Sequence, residues 1–280
     1  MKYVDIHGHV NFDDYDADRA EVIDRAREAG VGMIAVGADP QSSLQAVELA
    51  EKYDGVYATI GIHPTHLDHS SEEVDLDPFR KLLQNDKKGK IVAIGECGLD
   101  YFHLDESSVP AQKAGFEAMI DLANESRKPL MLHVRNGGSR QGGKSSTLIS
   151  GNNAGTTRSA YRDAYEIIRN RAKVLGNLHF FAGSIEEAKI FLDIGYSFSF
   201  TGVITFTTDY DEIVRHIPLE RTMSETDCPW VSPIPYRGRR NEPLYVVEVV
   251  KAIARIKGME DHEVAERLMG NAMKFFGLKV

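Results

Sequence analysis

The stretch VDIHGHVNFDDYDADRAEVIDRAREAGVGMIAVG, residues 4–37, contains a complete strand, helix and strand pattern. It opens with an apolar strand, VDIHGH, in which Asp5, His7 and His9 alternate with apolar or small residues. The segment DADRAEVIDRAREAG then reads as a helix that Gly30 terminates, and the apolar run GMIAVG follows at 32–37. A helix between two such strands is the repeating unit of parallel α/β proteins, so this stretch predicts that fold class.

The same alternation continues along the chain. Six further apolar runs predict strands: VYATIGIH at 56–63, KIVAIGE at 90–96, PLMLHV at 129–134, NLHFF at 177–181, YSFSFTG at 196–202 and RTMSETD at 221–227. Eight strands alternating with helices predict an α/β fold of the (β/α)8 TIM-barrel type, with a doubly wound open sheet as the alternative. Barrels of 280 residues fold undivided, so we expect a single domain, 1–280.

One segment departs from this rhythm. Residues 136–159, NGGSRQGGKSSTLISGNNAGTTRS, are rich in Gly, Ser, Asn and Thr and predict a long flexible loop between strand five and helix five. This insertion follows the strand that contains His133, so it would rise from the carboxyl end of the barrel. Either it closes over the active site as a lid, or it is a surface insertion without a role in binding.

Composition limits the classes of function. The net charge of -9 argues against broad electrostatic attraction to nucleic acid or anionic membrane, so any contact with nucleic acid should be local. The two cysteines, Cys97 and Cys228, are too few for a disulfide framework and predict a reducing, cytoplasmic setting. No apolar run suggests a membrane span, and the start MKYVDIHGHV lacks the pattern of a signal peptide. We predict no membrane association and no obligate protein partner.

Polar side chains recur where the predicted strands end, and in a closed barrel these ends form a ring around one mouth. The set consists of His7 and His9 on strand one, His63 on strand three, Glu96 on strand four, His133 on strand five, His179 on strand six and Asp227 on strand eight. Taken singly, each histidine could be a buried, hydrogen-bonded side chain. Together they exceed the ligands of one tetrahedral ion and predict a two-metal site for Zn, Mn or Mg, with one bridging carboxylate and hydrolysis by a metal-activated water.

Several motifs resemble those of the TatD-related deoxyribonucleases, metal-dependent barrels of the amidohydrolase type. DIHGH is similar to the Asp-x-His-x-His opening of that family, and IGECGLDY to its Ile-Gly-Glu-x-Gly-Leu-Asp-Tyr signature. GIHPTH, LHVR, HFFAGS and ETDCPW resemble further family segments in the same order, and RGRRNEP and NAMKFFGL are also familiar. The resemblance covers nearly the whole chain.

The resemblance implies roles for these residues. His7, His9, Glu96 and Asp227 would hold one divalent ion, and Glu96, His133 and His179 the second, so Glu96 would bridge. Asp227 would orient or deprotonate the attacking water, and His63 would stabilise a phosphate oxygen or the leaving group. The reaction implied is phosphodiester hydrolysis of DNA, of the 3'-5' exonuclease type, starting from single-stranded ends.

Four arginines are candidates for substrate phosphate. Arg135 lies two residues after His133, and Arg237, Arg239 and Arg240 lie in the segment RGRR, which comes after Asp227. Guanidinium groups bind phosphate through two parallel hydrogen bonds, although such a segment is also compatible with a solvated turn.

Two other functions stay open at this stage. The same barrel and metal ligands could hydrolyse a small amide, ester or phosphoester, because fold and metal site do not fix the substrate. A barrel without catalytic activity is the third possibility. It is disfavoured because His and acidic side chains at the mouth would lack compensation without ions.

Overall fold

The computed structural model of the protein describes residues 1–67, 74–137 and 158–279. Eight strands form one sheet in the order in which they occur along the chain, and each pairs in parallel with the next. The strands are β1 (Tyr3–Gly8), β2 (Val31–Val36), β3 (Val56–Ile60), β4 (Ile91–Asp100), β5 (Leu130–Arg135), β6 (Gly176–Leu178), β7 (Ser197–Phe200) and β8 (Thr222–Ser224).

Contacts between the first and last strands bring the two edges of the sheet together. The backbone N–H of His9 donates to the carbonyl of Cys228 at 2.7 Å, and that of Asp227 donates to the carbonyl of His7 at 2.9 Å. Gly8 and Cys228 also form a parallel bridge. The prediction of a TIM barrel is therefore confirmed, and the open doubly wound sheet is wrong.

Helices separate successive strands, and two more follow β8. They are α1 (Arg19–Glu28), α2 (Pro40–Lys52), α3 (Asp77–Asn85), α4 (Val109–Ser126), α5 (Ala160–Arg171), α6 (Ile185–Asp193), α7 (Asp211–His216), α8 (Val246–Lys257) and α9 (Asp261–Phe276). Their buried faces pack against the strands. Phe181, in the loop after β6, contacts both layers: its ring centroid lies 5.1 Å from that of Tyr161 of α5 and 4.9 Å from that of Phe198 of β7. Among the described residues, no helix combines the length and the apolar composition needed to cross a membrane.

The strands differ in length from their predicted ranges. β3 ends at Ile60, β6 at Leu178 and β8 at Ser224, whereas β4 continues to Asp100. Periodicity does not mark these ends, because the residues beyond them are buried and apolar or paired with the neighbouring loops. As a result, several of the predicted site residues are among the first residues of the loop that follows a strand.

The predicted insertion at 136–159 lies mostly outside the described residues, since 138–157 are not part of them. Its two ends are joined. The Asn136 side-chain oxygen accepts hydrogen bonds from the Ser159 hydroxyl at 3.2 Å and from the Ala160 backbone N–H at 2.7 Å. Asn136 and Ser159 thus fix the start of α5 next to the end of β5.

Candidate metal centre

The strand β1 brings His7 and His9 to the carboxyl end of the barrel. Both are almost completely buried, and their Nε2 atoms lie 3.3 Å apart. Strict alternation would place Asp5 beside them, but the pairing of β1 with β2 shifts register between Asp5 and Gly8. Asp5 instead accepts hydrogen bonds from the backbone and hydroxyl of Thr226 at 2.8 and 2.6 Å, and so anchors the loop after β8.

Two glycines of β4 allow Glu96 to reach the same mouth. Gly95 and Gly98 have φ angles of 143° and 144°, a backbone conformation that residues with an L side chain rarely adopt. A Cβ atom at Gly95 would lie 2.2 Å from the Met131 carbonyl oxygen, and one at Gly98 would lie 2.0 Å from that of His133. The motif IGECG therefore permits close contact between β4 and β5 on both sides of Glu96.

One Glu96 oxygen faces the histidines of β1. Glu96 Oε2 lies 3.5 Å from His7 Nε2 and 3.8 Å from His9 Nε2. Asp227 completes this group, with Oδ1 at 3.9 Å from His7 Nε2 and 3.6 Å from His9 Nε2. His7, His9 and Glu96 thus form one compact set of donors, and Asp227 Oδ1 lies beside the two imidazoles.

The other Glu96 oxygen faces a second group of imidazoles. Glu96 Oε1 lies 2.7 Å from His179 Nε2, 3.0 Å from His133 Nδ1 and 3.4 Å from His63 Nε2. The facing nitrogens of His133 and His179 are 3.2 Å apart. All seven predicted site residues other than the arginines therefore converge, and Glu96 lies between the two groups.

The donor set fits divalent ions. Zinc binds imidazole nitrogen at about 2.0–2.1 Å in tetrahedral geometry, which puts neighbouring donors about 3.3 Å apart. The donor separations in both groups range from 2.7 to 3.9 Å and so lie on both sides of that value. His7, His9 and Glu96 form one candidate metal-binding group, and His63, Glu96 and His133 form another.

The electrostatic environment keeps the carboxylates charged. Burial raises the pKa of Glu96, but the surrounding imidazoles, led by His63, lower it by more, so its pKa lies well below the usual value. Burial likewise raises the pKa of Asp227, and the hydrogen bond from His9 brings it below the usual value. For His63, burial lowers the pKa to about 4. For His133 and His179, burial lowers the pKa but the neighbouring carboxylates of Asp100, Glu96 and Glu225 raise it by more, so an ion bound there would displace protons from both imidazoles.

Two acids that the motifs did not indicate lie next to the candidate ligand histidines. Asp100 Oδ2 lies 3.0 Å from His133 Nε2, and Glu225 Oε1 lies 3.6 Å from His179 Nδ1. Both acids are completely buried. Asp100 was missed because the predicted fourth strand stopped at residue 96. Glu225 could have been recognised as an acidic residue within the predicted eighth strand, two positions before Asp227.

The four candidate arginines occupy different surroundings. The guanidinium of Arg135 lies 4.2 Å above the ring of Phe102, and that of Arg237 lies 3.9 Å above the ring of Phe206. Arg239 is exposed, whereas Arg240 forms a two-pronged ion pair with Asp18 at 2.8 and 2.6 Å.

Comparison with known proteins agrees with this geometry. A family model described as TatD related DNase matches residues 4–277. The chain belongs to the TatD-related DNase family. One relative, the uncharacterized metal-dependent hydrolase YabD of Bacillus subtilis, is 36% identical over 277 residues, which cover 97% of this chain and 98% of that protein.

Two further TatD relatives extend the comparison. The 3'-5' ssDNA/RNA exonuclease TatD of a Rahnella strain is 31% identical over 275 residues, with 94% of each protein covered. The crystal structure of YjjV, a TatD homologue from Escherichia coli K12, matches with a TM-score of 0.83 at 24% identity and covers 99% of both chains. The structural match supports the barrel fold, and the sequence matches support membership of the TatD family.

Proposed function

We propose that this protein is a two-metal-dependent deoxyribonuclease that removes nucleotides in the 3'-5' direction from single-stranded ends. The observation that carries the proposal is the position of Glu96, whose two carboxylate oxygens face separate groups of imidazoles. Membership of the TatD-related DNase family supports a hydrolase. The Rahnella relative, named as an exonuclease on single-stranded DNA and RNA, supports a nucleic-acid substrate.

The proposal assigns the donor atoms to two ions. His7, His9, Glu96 and Asp227 would hold one ion, and Glu96, His133 and His179 would hold the other. Zn, Mn and Mg are the candidates, and the four imidazoles favour Zn or Mn over Mg. When bound, such ions lower the pKa of a water molecule and neutralise charge on the phosphate.

Two further side chains are suited to proton transfer and substrate contact. The Asp227 side chain keeps 13% of its surface exposed, more than the 4% of Glu96, so it can accept a proton from a water molecule at the mouth. His63 Nδ1 lies 2.6 Å from the Thr65 hydroxyl, which orients the ring so that Nε2 faces the site. We assign Nε2 of His63 to a phosphate oxygen or the leaving group.

The candidate arginines would supply local positive charge that the chain as a whole lacks. We assign Arg135, Arg237, Arg239 and Arg240 to phosphate contacts along the bound strand. Arg240 is already paired with Asp18, so we expect its contribution to be the smallest of the four.

A substrate panel tests this function. The protein, loaded in turn with Zn, Mn and Mg, is incubated with end-labelled single-stranded DNA, double-stranded DNA, RNA and small model esters. We expect shortening of single-stranded DNA from its 3' end, and loss of that activity in Glu96→Gln. Glu248→Gln, a substitution in the first turn of α8 that removes the charge paired with Lys251, is the matched control and should behave as wild type. Hydrolysis confined to small esters would overturn the nuclease proposal in favour of a small-molecule hydrolase.

A further inference from the structure

The only tryptophan of the chain, Trp230, lies beside the candidate metal centre and is half exposed. Its ring centroid is 5.2 Å from that of His9 and 6.0 Å from that of Phe12, with interplanar angles of 62° and 75°. Both contacts are of the edge type, so neither ring covers the indole by stacking. A large apolar surface that remains open next to a reactive centre is typical of a ligand contact.

The backbone around Trp230 is held from both sides. Its N–H donates to the Asp227 carbonyl at 3.0 Å, and its carbonyl accepts a hydrogen bond from the Asn241 side chain at 2.6 Å. Asn241 is completely buried and also donates to the Thr226 carbonyl at 2.9 Å. The backbone that carries the indole is thus fixed relative to Asp227 before any ligand arrives, which reduces the conformational entropy that binding would otherwise remove.

A cationic side chain, Arg237, and a second aromatic ring, Phe206, lie on the loops that border the same mouth of the barrel. The loop after β8 is joined to the loop after β7 by a hydrogen bond from the Ile234 N–H to the Thr205 hydroxyl at 2.9 Å. Phe206 of the second loop is 36% exposed, and Arg237 of the first stacks over it. Both loops follow carboxyl ends of strands and therefore border the mouth.

An acidic protein that binds a polyanion needs contacts that do not depend on its overall charge. The net charge of -9 gives no general attraction for phosphates. Stacking of a base on an aromatic ring contributes to binding regardless of charge and tolerates every base, because each base has a π face. A half-exposed indole on a held backbone, beside the candidate ligand His9, supplies such a contact.

We infer that Trp230 is the stacking platform for the base of the 3'-terminal nucleotide, which places the adjoining phosphodiester at Glu96 and Asp227. This inference rests on the proposed nuclease function and adds the feature that the enzyme recognises: a base at the end of a single strand. Trp230 is therefore a specificity-determining residue that acts on substrate binding.

The experiment compares two oligothymidylates that differ only at the 3' end, where one carries a base and the other an abasic residue. Each is assayed with wild type, Trp230→Ala and Trp230→Phe. For the base-ended substrate we expect Trp230→Ala to raise KM about tenfold or more while kcat stays within about threefold, and Trp230→Phe to restore most of the affinity. For the abasic substrate, wild type and Trp230→Ala should have the same KM.

Leu175→Ala is the matched control. Leu175 is 45% exposed but directly precedes β6, at the end of the barrel opposite the mouth, so its replacement should leave KM unchanged for both substrates. Equal thermal midpoints of the variants would show that the changes in KM do not come from unfolding.

Fluorescence gives a second readout because Trp230 is the sole indole. Titration of the metal-loaded protein with hydrolysis-resistant phosphorothioate versions of the two oligomers should quench its emission with the base-ended strand and leave it nearly unchanged with the abasic one.

The outcomes separate the two proposals. If wild type degrades both oligomers with equal KM and Trp230→Ala changes neither, the stacking inference is overturned and the nuclease function stands. If wild type degrades neither oligomer and hydrolyses only small esters, both proposals fail. An increase in KM that is the same for base-ended and abasic strands would also overturn the inference, because it would place the contact elsewhere on the strand.

Discussion

Asp100 and Glu96 lie on opposite sides of the His133 imidazole. Nε2 of His133 is 3.0 Å from Asp100 Oδ2, and Nδ1 is 3.0 Å from Glu96 Oε1. A carboxylate on one ring nitrogen fixes the proton there and leaves the lone pair of the other nitrogen free to bind a metal. Asp100 thus determines which nitrogen of His133 faces the metal centre.

Asp100→Asn should weaken binding of the ion assigned to His133 by about 10- to 100-fold, because loss of such a supporting carboxylate has effects of that size. In wild type, the Asp100 carboxylate accepts hydrogen bonds from the backbone N–H groups of Phe102 and His103 at 2.8 Å. The asparagine amide oxygen can accept the same two hydrogen bonds, so the fold should persist. Calorimetric titration with Zn or Mn measures the change. Asp121→Asn, which alters only an exposed pair with Arg171, is the control. Unchanged affinity in Asp100→Asn would contradict the role of Asp100.

Glu225 lies 3.6 Å from His179 Nδ1 and is held by the backbone and side chains around it. Its carboxylate accepts hydrogen bonds from the Phe180 backbone N–H and the Ser199 hydroxyl, both at 2.6 Å. Phe180 has a φ of 42°, an unfavourable conformation that this hydrogen bond stabilises. Glu225→Gln turns one accepting oxygen into a donor, so we expect the free energy of unfolding to fall by about 1–3 kcal/mol in urea titrations. A stability equal to that of Glu248→Gln would refute this prediction.

The two glycines Gly98 and Gly270 should respond to alanine in opposite directions. At Gly98, a methyl group would collide with the His133 carbonyl at a φ of 144°, and we expect a loss of stability above about 3 kcal/mol or no soluble protein. Gly270 lies in α9, and apart from the backbone of its own helix no atom of the described residues lies within 4 Å of the added Cβ, so alanine there should stabilise the protein by about 0.5–1 kcal/mol. Thermal unfolding measures both effects, and a Gly98→Ala protein as stable as wild type would show that β4 and β5 can separate.

We expect Asp163 to make the free energy of unfolding depend on pH. Burial raises the pKa of this carboxyl, but hydrogen bonds from Tyr101, Arg158 and Lys113 outweigh it and bring the pKa below its usual value. A lowered pKa in the folded state means that the stabilisation is present above the unfolded pKa of about 3.9 and is lost as the pH falls through the folded pKa. Wild type should therefore be more stable than Asp163→Asn at pH 7, with the difference shrinking towards pH 3. A difference that is constant between pH 7 and pH 3 would exclude this contribution.

The ring of site residues could be predicted because each one follows an apolar strand, and a parallel barrel collects the carboxyl ends of its strands at one mouth. Glu96, His133 and His179 illustrate this: they are distant in sequence, yet one carboxylate oxygen lies within hydrogen-bonding reach of both imidazoles. The arginines could not be ranked from sequence, because only the folded loops show that Arg240 is paired with Asp18 while Arg135 and Arg237 stack on aromatic rings.

The sequence by itself determined the barrel class, the alternation of strands and helices, and the His and acidic side chains that meet at the mouth, because hydrophobic periodicity and residue chemistry are local properties. Tertiary structure decided how those side chains divide into two groups around Glu96, which acids support His133 and His179, and where Trp230 lies. These relations depend on distances between residues far apart in the chain. Such distances are set by register shifts in β1 and β4, by the close contact of β4 with β5, and by the packing of loops after β7 and β8.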